Sequence, residues 1–239
     1  MKIYSQAGQD LWVIRDVFGE MENGFYVDIG AADGINLSNT YLLEKKYAWS
    51  GICIEADKNS FSQLAKSRKA TCYNACLDSE VKEVKFTKNE GYYGGIIDAE
   101  TDNALNDSDS VTLKTEILRN ILEKSNAPKI IHYLSLDVEG AEERVLDGFP
   151  YSTHTFLAAT IERPSEKLKN KLKSEGYILV GEIPGLDSFY VHESIQYKYA
   201  QRLMSLAELN RGKTIPRYCN LIRHQFRFGL RNTVKRFLR

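Results

Sequence analysis

Residues 25–34 read Phe-Tyr-Val-Asp-Ile-Gly-Ala-Ala-Asp-Gly, and this stretch decides the fold. A short apolar run ends in Asp28 and is followed by two glycines, Gly30 and Gly34. That order is typical of a buried strand that feeds a tight turn. Glycine is favoured there because it adopts positive φ and lets the backbone approach a ligand closely. The acid at the strand end indicates a ligand with a positive group rather than a bare phosphate.

Strands and helices alternate along the rest of the chain. Apolar runs predict strands at 51–55, 70–77, 130–137 and 156–162, with helices between them and a hairpin over 177–191. Such alternation predicts an α/β fold with a mainly parallel sheet and helices on both faces. Ligands bind at the carboxyl ends of the strands in these sheets.

Residues 84–113 interrupt this alternation as an excursion of short strands and loops. Tyr92 and Tyr93 precede Gly94 and Gly95 within it. Aromatic faces suit the apolar side of a sugar ring, so the excursion is a candidate contact for the acceptor. The alternative is an ordinary hairpin whose tyrosines pack on the domain.

The composition is that of a globular chain of 239 residues, 43% hydrophobic and 27% charged. No apolar run approaches the ~20 residues that a membrane span needs. The first six residues lack the apolar core of a signal peptide, so we expect a cytoplasmic protein.

Cys72 and Cys76 lie four apart in one predicted strand, too far for a disulfide or a shared metal. Buried, reduced thiols are expected.

The spacing between acids at two strand ends indicates the cofactor. A nicotinamide fingerprint reads Gly-x-Gly-x-x-Gly, with an acid ~20 residues further on. Here the turn reads Asp-x-Gly-x-x-x-Gly, and the next strand-end acid, Glu55, lies 25 residues after Gly30. Glu55 suits the two hydroxyls of a ribose and Asp28 suits an ammonium group, which together indicate S-adenosylmethionine. Taken singly, either residue could be a loop cap or a solvated acid.

Four stretches resemble the FkbM-type methyltransferases, a branch of the class I S-adenosylmethionine-dependent enzymes. They are residues 5–10, 27–44, 51–57 and 135–148. The most specific is Asp-Val-Glu-Gly-Ala-Glu, which begins at Asp137. Ala32 stands where the family often has Asn, and Ala56-Asp57 where it often has Pro-Asn, but neither departure removes a charged contact.

This resemblance implies a Rossmann-like sheet of seven strands, mainly parallel with an antiparallel last strand. It places the methionine end of the cofactor over Asp28 and Gly30, the ribose on Glu55 and the adenine near Asp78. Further predicted cofactor contacts are Gln6, Gln9, Asp33, Ser38, Asp57 and Asp137. The two glutamines are expected to close over the cofactor, although a helix-capping or surface role is the alternative.

No histidine is placed to act as the catalytic base. His132 lies five residues before Asp137 on one predicted strand, so ~16 Å below the edge where ligands bind. His154 and His192 fall at the opposite edge of the sheet, and His224 lies in the C-terminal tail.

Carboxylates are therefore the predicted catalytic groups. An alcohol is a poor nucleophile, so a positioned base or a metal assists its methylation. Asp137 is the predicted base, and Glu139 and Glu162 are the acids that could join it. Asp137 and Glu162 could also hold a magnesium ion, which prefers oxygen ligands. The alternative role for Glu139 is to cap the following helix.

The C-terminal tail differs in charge from the rest. We expect a methyltransferase domain over 1–195 and a basic, helical extension over 196–239, which holds eleven Lys or Arg and one acid. From Arg217 to Arg239, apolar and basic residues fall on opposite sides at helical spacing. Such a helix could bind an anionic membrane surface or another polyanion, or dock on its own acidic body or a second subunit. Nucleic acid is less favoured because no reading motif is present.

The predicted function is an O-methyltransferase that uses S-adenosylmethionine. Members of the resembled family act on hydroxyls of sugars and natural products, and a sugar in a surface polysaccharide or glycolipid is the predicted acceptor. One alternative is a small natural product as acceptor, and another is a non-catalytic cofactor-fold module that its basic tail recruits to a partner. A nicotinamide oxidoreductase is excluded by the glycine spacing.

Overall fold

The fold is known from a computed structural model of the chain, which describes residues 3–87, 94–99, 101–103 and 110–209, with side chains as far as 204. Tyr92, Tyr93 and the basic segment Arg217–Arg239 lie outside these residues. Among the described residues, no helix is both long and apolar enough to span a bilayer.

Seven strands form the central sheet, in the order β3-β2-β1-β7-β8-β10-β9. Their bounds are β1 Phe25–Ile29, β2 Ser50–Glu55, β3 Thr71–Asn74, β7 Ile130–Leu136, β8 Thr155–Glu162, β9 Tyr177–Glu182 and β10 Asp187–His192. All pairs are parallel except those of β10, the last strand, which is antiparallel to β8 and β9. This is the predicted class I methyltransferase topology.

Helices cover both faces of this sheet. They are α1 Gln9–Leu11, α2 Tyr41–Tyr47, α3 Lys58–Ser67, α4 Leu118–Lys124, α5 Glu142–Asp147, α6 Glu166–Ser174 and α7 Gln196–Leu209. Two separate apolar clusters result, and alternate residues of β1 belong to different clusters: Tyr26 to one, Val27 to the other. A strand buried on both faces must be apolar throughout, which is why β1 reads as an almost continuous apolar run.

The third predicted strand is broken. A single strand was predicted over 70–77, but the chain leaves the main sheet at Ala75, whose N–H donates to the Glu55 carbonyl. Two residues, Cys76–Leu77, then form β4 in a second sheet with β6 Ser110–Glu116 and β5 Glu83–Thr87. The predicted excursion is thus a small sheet, and Cys72 and Cys76 lie in different sheets.

The two ends of the described chain pack together. Helix α1 continues as a π-helix over Trp12–Val17. Trp12 is buried, and its indole N–H donates to the hydroxyl of Tyr199 in α7 at 3.3 Å. Because Tyr199 is part of the core, the domain boundary predicted after residue 195 falls too early, and the body includes at least the first part of α7.

Candidate active site

The carboxyl ends of β1, β2, β7 and β8 and the start of β10 surround one cleft. It encloses about 1350 Å³, including the part open to solvent. Seven carboxylates line it: Asp28, Glu55, Asp57, Asp137, Glu139, Glu162 and Asp187. No Lys, Arg or His is among the described residues that line it. We call the part formed by Asp28, Glu55 and Asp57 the Asp28 side, and the part formed by the other four acids the Asp137 side.

The turn after β1 requires glycine for a reason that differs from the expected one. Gly30 has φ of +81°, and a Cβ there would lie 1.7 Å from the Asp137 carbonyl oxygen. The close approach is therefore made to the end of β7 rather than to a ligand. The Asp137 N–H also donates to the Ile29 carbonyl at 3.0 Å. Gly30 thus allows Asp137 to lie directly beside the first turn.

Asp28 is buried beneath this turn and is bound by other side chains. The Thr40 hydroxyl donates to its carboxylate at 2.5 Å, and an Arg68 nitrogen lies 3.9 Å away. Burial raises the pKa of Asp28, while Arg68 and Thr40 oppose that rise. Arg68 also donates to Glu44 at 3.0 Å and to the Tyr26 hydroxyl at 2.6 Å. This buried network holds Asp28 in place beneath the cleft. It was not predicted from the sequence.

Glu55 is held at the end of β2 by backbone donors. Its two oxygens accept the N–H of Ala32 at 2.8 Å and the N–H of Asp57 at 2.7 Å. Burial raises the pKa of Glu55 to about 7. Asp57 in turn caps α3 by accepting the N–H groups of Asn59 and Ser60. Both carboxylates line the cleft, so their remaining lone pairs are available to a ligand hydroxyl.

A pH-dependent stability is expected from Glu55. Its carboxyl has a pKa of about 7 when folded against an ordinary 4.5, so the folded protein holds a proton that the unfolded chain releases between these values. The stability that Glu55 contributes is therefore greatest at low pH and is lost as pH rises through 7. We expect wild type to lose roughly 2 kcal/mol more than Glu55→Gln between pH 5.5 and 8. Urea unfolding at both pH values measures this difference, and equal losses would contradict the buried, ionisable role of Glu55.

Two predicted cofactor contacts do not reach the cleft. The Asp33 carboxylate accepts the N–H groups of Ile35 and Asn36, both at 2.8 Å, and so caps its own turn. Asp78 is bound by the Arg144 guanidinium, which outweighs burial and lowers the pKa of Asp78. Neither residue lines the cleft, so we remove both from the proposed site.

The other predicted cofactor residues do line the cleft. Gln6 is exposed at its mouth, whereas Gln9 is buried and donates to the Asp187 carboxylate at 2.7 Å. The Ser38 hydroxyl accepts the N–H of Tyr41 at 3.1 Å at the start of α2. Gln9 is thus tied to the start of β10, a contact that sequence spacing could not show because 178 residues separate the two.

Three acids lie side by side on the Asp137 side. Glu162 ends β8 and is paired with Asp187 in the antiparallel register of β10. Leu136 is paired with Ile161, so Asp137 follows immediately beside Glu162. The Asp137 side chain is open to the cleft yet surrounded by protein, and this loss of hydration, with the nearby Glu162 charge, raises its pKa well above 3.8. Burial likewise raises the pKa of Asp187 to about 6.

A guanidinium contacts one of the two acids at which a metal was predicted. Oxygens of Asp102, Glu139 and Glu162 lie within 4.8 Å of one another, but Asp137 is not in this group. One Arg163 nitrogen contacts all three acids, at 2.5 Å from Asp102 and 3.0 Å from each of the others. Arg163 therefore already supplies a positive charge at Glu162, one of the two acids predicted to hold magnesium, but it does not contact Asp137.

The histidines lie where the sequence predicted. His132 accepts a hydrogen bond from the Phe25 N–H at 3.1 Å, at the start of β1 and therefore at the opposite end of the sheet from the cleft. His154 and His192 are also absent from the described lining of the cleft, and His224 lies outside the described residues.

The strand order and the acid-lined cleft at the carboxyl edge define a class I methyltransferase-type domain. The protein family described as the methyltransferase FkbM domain matches residues 28–178. The chain therefore belongs to the FkbM methyltransferase family, as its sequence resemblance indicated. No curated protein sequence matches the chain significantly.

Several solved methyltransferases align with this chain at low identity. FkbM methyltransferase from Methylobacillus flagellatus KT aligns with 72% of this chain at 18% identity and a TM-score of 0.46, and the chain spans 44% of its length. Precorrin-6y C5,15-methyltransferase from Geobacter metallireducens GS-15 aligns with 80% of this chain and 89% of its own, at 9% identity and a TM-score of 0.42. Phosphoethanolamine N-methyltransferase 2 from Haemonchus contortus, in complex with S-adenosyl-L-methionine, aligns with 97% of this chain and 49% of its own, at 10% identity and a TM-score of 0.36. Likenesses at this level carry no information about substrate.

Proposed function

We propose that the protein is an S-adenosylmethionine-dependent O-methyltransferase that acts on a sugar hydroxyl of a surface polysaccharide or glycolipid. One observation carries this proposal: Asp137 faces the open cleft directly beside the turn at Gly30. A carboxylate that can accept a proton thus lies next to the residues proposed to hold the methyl donor.

The Asp28 side fits the proposed cofactor chemically. Glu55 and Asp57 offer carboxylate oxygens to ribose hydroxyls, and the acidic lining suits a cofactor that carries a sulfonium and an ammonium group. A dinucleotide pyrophosphate does not suit it, because no basic side chain is among the described residues of the lining. When bound, S-adenosylmethionine supplies an electrophilic methyl group.

Asp137 accepts the proton that leaves the acceptor hydroxyl during transfer. Its raised pKa makes it a stronger base than an ordinary aspartate once it is ionised. The nearby charges of Glu162, at the end of β8, and Glu139, just after β7, raise the pKa of Asp137 further. Gly94 and Gly95 also line the cleft, and Gly95 packs directly against Glu139.

Methyl transfer is expected to be independent of metal. Arg163 already pairs with Glu162, one of the two acids at which a divalent ion was predicted, so exhaustive chelation should leave turnover unchanged. The measurement compares rates before and after dialysis against EDTA. A loss of activity that added Mg²⁺ restores would show that the ion, rather than Arg163, balances this site.

The function is tested by following labelled methyl groups from S-adenosylmethionine into mono- and oligosaccharides and into small polyhydroxylated natural products. Base-stable label in a sugar ether is the expected result. Label only in the natural products would favour the alternative acceptor. Binding of S-adenosylhomocysteine without any labelled product would favour the non-catalytic module.

We also propose that Arg217–Arg239 binds an anionic membrane surface, which would hold a cytoplasmic enzyme near a lipid-linked acceptor. The support is the amphipathic spacing of basic and apolar residues in this segment. Co-sedimentation with anionic vesicles should fall when the chain ends after residue 209, an end point that keeps Tyr199 in the core. Equal, salt-insensitive sedimentation of both proteins would contradict this proposal, and dimerisation through the tail would appear in the sedimentation velocity of the full chain.

A further inference from the structure

Two buried acids at the β8–β10 edge have oxygens without a hydrogen-bond donor in the part of the chain that the structure describes. Glu162 is 9% exposed and Asp187 is 5% exposed, and both line the cleft. Arg163 contacts only Oε1 of Glu162, and Oε2 has no donor among the described residues when the acids are ionised. The neighbouring Asp137 carboxyl shares a hydrogen bond with Glu162 only when one of the two is protonated. Gln9 donates only to Oδ2 of Asp187. Burying a carboxylate oxygen without a donor costs free energy, so a ligand donor is the natural complement.

Charge leads to the same conclusion. Asp102, Glu139 and Glu162 share one guanidinium, that of Arg163, while Asp137 and Asp187 have no cation within the described structure that contacts them. Among the described residues, the Asp137 side therefore holds more acids than cations that contact them. A hydroxyl alone would satisfy hydrogen bonds there but would leave the excess negative charge.

The cofactor's own positive groups do not account for these acids. Its methionine end is proposed to lie over β1, and β8 and β10 are the second and third strands from β1. At about 4.8 Å between strands, Glu162 and Asp187 lie roughly 10 and 14 Å across the sheet from Asp28. The sulfonium charge, beside the reacting methyl, is matched by Asp137, which leaves Glu162 and Asp187 for another cation.

We infer that Glu162 and Asp187 form an ammonium-binding subsite, and that the acceptor is an amino sugar whose free amine lies next to the methylated hydroxyl. This inference rests on the proposed function and names the acceptor more closely. An ammonium has three N–H donors, enough for the free oxygens of Glu162 and Asp187 together. Because Asp137 lies on the next strand, a hydroxyl on the neighbouring ring carbon is placed toward the proposed base.

The test measures binding rather than turnover. The full chain, saturated with S-adenosylhomocysteine, is titrated calorimetrically with D-glucosamine, N-acetyl-D-glucosamine and D-glucose at one pH and one ionic strength. We expect D-glucosamine to bind at least about tenfold more tightly than the two neutral sugars, as charge-assisted hydrogen bonds are stronger than neutral ones. Equal affinities, or no binding by any of the three, would overturn the inference.

Variants show whether the two acids are responsible. Asp187→Asn and Glu162→Gln should each remove most of the preference for D-glucosamine while S-adenosylhomocysteine still binds, which shows that the variants fold. Asp147→Asn, a surface acid paired with Lys171, is the matched control and should keep the preference. A preference that persists in both site variants would overturn the subsite. Methyl transfer to neutral sugars but not to amino sugars would also overturn the subsite, although the proposed function would stand.

Discussion

An Asp137→Asn variant is expected to lose at least about 100-fold in kcat, the usual contribution of a positioned general base. An amide has the size of the carboxylate but does not accept the hydroxyl proton. The side chain lies in the open cleft, and its one side-chain hydrogen bond is with the neighbouring carboxyl of Glu162, so its replacement should leave the fold intact. Single-turnover rates with saturating S-adenosylmethionine and a sugar that the wild type methylates measure the loss.

The control for this prediction is the surface variant Asp147→Asn, whose carboxylate contacts Lys171 far from the cleft and whose rate should be that of wild type. S-adenosylhomocysteine binding by both variants shows that the cofactor site remains. Near-normal turnover of Asp137→Asn with intact cofactor binding would show that another group takes the proton.

Replacing Arg68 with Met should destabilise the protein by roughly 3–5 kcal/mol, the cost of removing one partner of a buried ion pair. The Arg68 side chain is fully buried, and its loss leaves the buried Asp28 carboxylate without its cation and Glu44 with only the half-exposed Lys45. Asp28 would then hold its proton up to higher pH, because Arg68 is what opposes the effect of burial on its pKa. The free energy of urea unfolding measures the effect.

Arg119→Met is the matched control, since Arg119 is exposed on α4. It should cost less than about 0.5 kcal/mol, as surface substitutions commonly do. Arg68→Lys should fall between the two, because an ammonium keeps the charge but does not reach Tyr26, Thr40 and Glu44 together. Equal stabilities of Arg68→Met and Arg119→Met would contradict the role of the buried network.

The strands of the central sheet could be predicted because the apolar runs that indicate them are local features of the sequence. The apolar run 25–29 became β1 with the predicted bounds, and the acids Asp28, Glu55 and Asp137 all lie at strand ends that border the cleft. The break at Ala75 was not predictable from periodicity, since one strand and two short ones share the same pattern. What separates them is the pairing of Cys76 and Leu77 with β6, a contact between elements.

The site residues that were wrongly assigned or missed have partners that are far away in sequence. Asp78 ends a strand as the functional acids do, yet Arg144, 66 residues away, binds its carboxylate. Asp187 was missed because it begins an antiparallel strand, whose first residue rather than its last lies at the ligand edge. The Ile-Glu-Arg-Pro stretch at the end of β8 did contain a signal, because a cation directly after a strand-end acid indicates charge compensation.

Calorimetric titration with S-adenosylhomocysteine and with NAD is the most direct test of the central claim, that this cleft binds S-adenosylmethionine. We expect one molecule of S-adenosylhomocysteine to bind per chain, no detectable binding of NAD, and an affinity at least about tenfold weaker in Glu55→Ala, which loses the carboxylate proposed to accept the ribose hydroxyls. Tight binding of NAD without binding of S-adenosylhomocysteine would contradict the claim. An affinity for S-adenosylhomocysteine that Glu55→Ala leaves unchanged would contradict the placement of the cofactor on the Asp28 side.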